Sequence, residues 1–137
     1  MSIRQERILI ADAHPTMMAS VRVLLRKTFP VIYMVSDFPS LEDALASSKF
    51  DLVIADLSIP VSPGENVARI IERLSPGLPF IVLSVHDDPA AVAECLAAGA
   101  RGFVLKRTAV DDLVPAVEAA LSADVFVSPA ASKAVVA

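Results

Sequence analysis

Residues 51–56 read DLVIAD, four apolar residues in an unbroken run between two carboxylates. A strand with one wet face alternates apolar and polar residues. A short continuous apolar run instead predicts a strand covered on both faces, as in a parallel sheet. Four further runs have the same character: RILIA (7–11), VIYMVS (31–36), FIVLSV (80–85) and GFVLK (102–106).

Amphipathic segments separate these runs. From Pro15, the residues Met17, Val21, Leu24, Leu25 and Thr28 share one helical face, with Arg22, Arg26 and Lys27 elsewhere. Ser40 with Asp43 three residues on resembles a capping box, and Glu65 to Leu74 follows Gly64 as a third helix. Asp88-Pro89 supplies a cap and a first-turn proline, and Gly99 the stop. Asp111 or Asp112 opens a last helix, whose Leu113, Ala116, Val117, Ala120 and Leu121 repeat at helical spacing. The pattern is (βα)5, an α/β fold with a doubly wound, five-stranded parallel sheet of flavodoxin-like order 2-1-3-4-5. Residues 1–122 form the domain. Residues 123–137 (ADVFVSPAASKAVVA 123–137) read as a C-terminal extension or the start of a linker.

Composition narrows the function classes. The chain has 137 residues, one ordinary domain, and is 55% hydrophobic, yet no apolar run approaches the ~20 residues of a membrane helix. Met1–Arg7 lacks the apolar stretch of a signal peptide, so the expected compartment is the cytoplasm. A net charge of −4 argues against the domain itself coating nucleic acid. The single Cys95 excludes an internal disulfide and reads as a small buried residue.

In open α/β sheets, sites form at the carboxyl ends of the strands. Those ends carry Asp12, Asp56, Ser84 and Lys106, while Ser36-Asp37 closes the edge strand further away. Each alone reads equally well as a turn, cap or solvated residue. Together they suit phosphoryl transfer to a carboxylate: Asp56 as nucleophile, a hard divalent cation on carboxylate oxygens, Lys106 as the charge partner of the phosphoryl group, and Ser84 as a hydrogen-bond donor to it. No P-loop, dinucleotide fingerprint or serine elbow is present.

With these landmarks in place, residues 6–128 resemble the receiver domain of two-component response regulators. Asp56, Pro60 and Gly64 match the family's D-x-x-x-P-x-x-x-G pattern, and the intervals to Ser84 and Lys106 fit. His14-Pro15, LSVHDD (83–88) and AGARGFVLKR (98–107) look most like the NarL/FixJ subgroup, whose receivers precede a LuxR-type DNA-binding output domain. The resemblance implies Asp56 as phosphoacceptor, Ser84 as switch hydroxyl, Lys106 as phosphoryl-pairing lysine and Phe103 as switch aromatic, the alternative for Phe103 being an ordinary core residue. It also implies Mg2+ on Asp12 and Asp56, with the Ser58 backbone carbonyl as a further ligand. A sensor histidine kinase, a homodimer, and DNA reached only through an output domain are the implied partners, with no membrane.

One departure stands out. The family carries two adjacent acids after strand 1, and here Ala13 follows Asp12. Losing a carboxylate about 4 Å from a dication removes a few kcal/mol of attraction. This predicts weakened Mg2+ binding or an atypical, phosphorylation-independent receiver acting as a dimerisation or interaction module. Arg107 and Pro63 are neutral departures, and His14 and His86 read as loop residues. An aspartate-nucleophile phosphate-transfer enzyme is disfavoured by Ser58, which stands where a second catalytic acid is needed. Beyond self-phosphorylation, no enzyme activity is expected.

Overall fold

The computed structural model describes residues 4–131. Strands and helices alternate as β1 (Ile8–Ala11), α1 (Pro15–Leu25), β2 (Ile32–Val35), α2 (Phe38–Ser47), β3 (Leu52–Asp56), α3 (Val67–Leu74), β4 (Phe80–Ser84), α4 (Pro89–Ala97), β5 (Gly102–Leu105), α5 (Ala109–Leu121) and β6 (Phe126–Val127). A 3-10 turn over Lys106–Thr108 joins β5 to α5. The sheet is wholly parallel, in the order β2-β1-β3-β4-β5-β6.

The unbroken apolar runs are explained by burial on both faces. Leu9, Val53, Val82 and Phe103 point to one side, against Leu41 of α2, Ile71 of α3 and Val92 of α4. Ile8, Ile54, Ile81 and Val104 point to the other, against Val21 of α1 and Leu113 and Val117 of α5. Each such side chain, removed from water, contributes about 1.5–3 kcal/mol. β5 passes so close to β4 that a Cβ at Gly102 would lie 2.8 Å from Ile81 Cγ1. Gly99 ends α4 at φ +109°, a backbone open to glycine.

Three local expectations are corrected. Asp37, not Ser40, caps α2: its carboxylate accepts from the Ser40 amide at 2.8 Å, and the helix begins at Phe38 with Pro39 in its first turn. Helix α5 opens at Ala109, ahead of Asp111 and Asp112, because the 3-10 turn from Lys106 feeds directly into it. The sheet has a sixth strand, since Phe126–Val127 pairs with β5. Two residues before a Ser-Pro break are too few to show strand periodicity. The tail read as an extension therefore packs on the domain as far as Ala131, and 132–137 lie outside the described residues.

Candidate functional site: an acid pair bridged by a lysine

The sheet register assembles the site. Ala11 of β1 pairs with Ala55 of β3, so the following residues, Asp12 and Asp56, emerge side by side. Ser84 pairs with Leu105, so Lys106 emerges one step beyond it on the next strand. Both acids are buried, Asp12 at 0% exposure and Asp56 at 1%, and buried charge persists only where it is paired. The pairing is Lys106: its Nζ lies 3.1 Å from Asp12 Oδ2 and 3.2 Å from Asp56 Oδ2. Asp12 Oδ2 has no hydrogen bond, so the lysine charge is what faces it.

Asp56 is the better satisfied acid. The Ser58 amide donates to Oδ1 at 3.0 Å, and the Ser58 hydroxyl lies 2.9 Å from each carboxylate oxygen. Burial pushes the Asp56 carboxyl up more than any other single influence. The Ser58 donors and the Lys106 charge together outweigh it and hold the group below its ordinary value. Asp12 Oδ1 accepts from the His14 amide at 2.8 Å, which folds the chain back so that His14 Nδ1 lies 3.1 Å from Asp12 Oδ1 and 3.5 Å from Asp56 Oδ2. Among the described residues, Asp12, His14 and Asp56 form the one group whose donor atoms, within 4.8 Å of one another, could hold a metal ion.

Of the residues singled out from the sequence, Asp12, Asp56 and Lys106 converge directly. Ser84 is buried and shares a cavity of about 200 Å³ with Asp56, Ser58 and His86. Its hydroxyl bonds the His86 backbone: it donates to the His86 carbonyl at 2.9 Å and accepts from the His86 amide at 3.0 Å. Phe103 is fully buried in the core. Ala13, next in the chain to the buried Asp12, is exposed. Sequence reasoning gave Ser58 a role only through its carbonyl and missed its hydroxyl. His14, which the sequence reads as a loop residue beside the site and not as a ligand, instead brings its ring to both acids. The hydroxyl two residues after Asp56 and the ring two residues after Asp12 were the available signals.

A doubly wound parallel sheet with two acids and a lysine joined at its carboxyl edge defines a flavodoxin-like α/β domain with a charged pocket. The chain belongs to the response regulator receiver domain family, which it matches over residues 8–118. It is 37% identical over 103 residues to the transcriptional regulatory protein UhpA of Salmonella typhimurium, covering 73% of this chain and 51% of the relative. It is 28% identical over 121 residues to the fimbriae Z protein of Escherichia coli K12, covering 87% and 58%. The isolated receiver domain of RcsB from Salmonella enterica serovar Typhimurium, solved with a phosphomimetic, superposes with a TM-score of 0.84 at 27% identity, covering 96% of this chain and 99% of that one. These relatives are NarL/FixJ-type regulators, and this chain spans about half the length of UhpA. No helix among the described residues is long and apolar enough to cross a membrane.

Proposed function

We propose that this receiver accepts a phosphoryl group on Asp56 from a sensor histidine kinase in the cytoplasm, with Mg2+ binding weakened by Ala13 in place of an acid. The observation that carries the reading is the Lys106 ammonium held between Asp12 and Asp56 at 3.1 and 3.2 Å.

An Asp56 carboxylate oxygen attacks phosphorus, the bond from phosphorus to the donor breaks, and the product is an acyl phosphate. Asp56 is kept ionised for this attack by Ser58 and Lys106. Lys106 already lies beside the attacking oxygen and would pair with a phosphoryl oxygen. Ser84, in the same cavity, would exchange the His86 carbonyl for that oxygen, which carries the change to the loop after β4.

Two buried carboxylates, one with an oxygen that faces the Lys106 ammonium but accepts no hydrogen bond, fit a hard divalent cation. Asp12 and Asp56 would hold Mg2+, with the Ser58 carbonyl as a further ligand and water where Ala13 offers none. The ion, when bound, supplies neutralisation of phosphoryl charge.

The regulated output would be DNA binding by a domain outside this chain. Homodimerisation is supported by an apolar groove of about 900 Å³ between α1 and α5, where Val23 and Val110 are exposed.

A second reading, signalling without phosphate, is favoured by Ala13 and by the internal satisfaction of Asp56 by Ser58 and Lys106. Incubation with a small phosphodonor and Mg2+, followed by intact mass, separates the two. An adduct abolished by Asp56→Asn supports phosphorylation. No adduct in the wild type, with one restored by Ala13→Asp, supports the second reading. No adduct in either sinks the phosphoacceptor assignment.

A further inference from the structure

A second polar cluster lies outside this pocket, on the far side of the turn that carries Lys106. Asp112 of α5 is 8% exposed and Ser128 is fully buried. The Ser128 hydroxyl donates to Asp112 Oδ2 at 2.7 Å and accepts from the Leu105 amide at 3.0 Å. The Thr108 hydroxyl donates to the same carboxylate oxygen at 2.6 Å. One serine thus holds the last residue of β5, while the carboxylate it engages holds the last residue of the turn. Lys106 lies between those two points.

The same serine fastens the tail. The Phe126 amide donates to the Arg101 carbonyl at 3.0 Å and the Ser128 amide to the Phe103 carbonyl at 2.9 Å, which covers the outer edge of β5. Val127, Ala130 and the fully buried Ala131 pack in the cluster that contains Phe103. The ladder itself is only two residues long, and the chain reaches it through Ala123 at φ +62°, a strained conformation for a residue with a Cβ. A short ladder entered through strain depends on its polar fastening. Removing Ser128 Oγ leaves the buried Leu105 amide unpaired and leaves Asp112 with the Thr108 donor alone.

We propose that residues 126–131 form a releasable strap, latched to β5 by Ser128 and Asp112, whose attachment reports the position of Lys106. Release of Lys106 from Asp12 as it pairs with a group on Asp56 shifts Leu105 or Thr108, loosens the latch, and frees the tail and the Phe103 face together. The phosphoryl trigger rests on the function proposed above. The mechanical link between Lys106 and Ser128 does not.

Amide hydrogen exchange by NMR on the full chain tests both parts, with the Leu9 and Ile54 amides as references for global opening. In Ser128→Ala, exchange at Phe126 and at position 128 rises at least tenfold relative to those references. A rise below twofold overturns the latch. In Lys106→Met, exchange at Leu105, Phe126 and Ser128 rises at least fivefold relative to the references, and a rise below twofold overturns the link. With a phosphodonor, an adduct on Asp56 that leaves strap exchange unchanged overturns the release while the receiver reading stands. If no adduct forms, the phosphoacceptor reading fails and the Lys106→Met measurement alone decides the link.

Discussion

Replacing Ala13 by Asp places a second carboxylate next to Asp12, and Coulomb's law with the exposure of Ala13 sets the size of the effect. A unit charge pair 4 Å apart interacts by about 4 kcal/mol at an effective dielectric of 20 and by about 1 kcal/mol in bulk water. A dication doubles both figures, to a range of about 2–8 kcal/mol. Ala13 is exposed, so screening favours the lower part of that range, about 2–4 kcal/mol. At 1.4 kcal/mol per decade, Mg2+ affinity rises about 30- to 700-fold. The same substitution raises the negative charge beside Asp12 and Asp56, which among the described residues have only Lys106 within ion-pair distance apart from His14. In EDTA the variant is therefore less stable than the parent by about 1 kcal/mol, roughly 3–6 °C in Tm. Calorimetric titration with Mg2+ at about 0.1 M salt gives the first quantity, and thermal melts in EDTA give the second. An affinity gain below threefold in a folded variant refutes the electrostatic account of the missing acid. A higher Tm in EDTA refutes the account of charge crowding.

Three further outcomes follow from particular contacts. Because the fold holds the Asp56 carboxyl below its ordinary value of 3.8, its ionisation stabilises the native state above that value, and this share is lost as pH falls through the lowered pKa. Urea midpoints measured from pH 7 to about pH 3 should thus fall less steeply in Asp56→Asn than in the parent, and parallel curves would contradict the shift. Gly102→Ala places a methyl 2.8 Å from Ile81 Cγ1 and destabilises the fold by about 1–3 kcal/mol by denaturant unfolding, with a neutral result ruling out the close approach of β4 and β5. Burial pushes the Cys95 thiol up to about 11, with the Asn66 side chain opposing and Glu94 adding to the rise. Labelling by a thiol reagent at pH 8 is then slow in the native protein and rapid in urea, whereas fast native labelling would place Cys95 at the surface.

Much of the site was legible from the sequence for a physical reason. Parallel strands buried on both faces show themselves as continuous apolar runs, and a residue that closes such a run lands at the carboxyl edge. Asp12, Asp56 and Lys106 were recognisable on that ground, and Ser84 was placed in the pocket with its hydroxyl orientation unknown. Helix starts were less legible: Asp37 and Ser40 are both good capping residues, and the choice fell to Asp37 where Phe38 and Pro39 could form the first turn.

What the chain determines by itself is the alternation of strand and helix, the identity of the acids and amine at the strand ends, and the lack of a second acid at Ala13. These properties are local: each is carried by periodicity or by position within a few residues. Only the tertiary structure decided that Lys106 spans both carboxylates, that Ser58 and His14 turn back onto them, and that Ser128 joins Leu105 and Asp112. Those contacts depend on strand register, on side-chain direction at the sheet edge and, apart from Ser58 on Asp56 and His14 on Asp12, which lie two residues apart, on residues 16 to 94 positions apart meeting in space, none of which leaves a periodic trace along the chain.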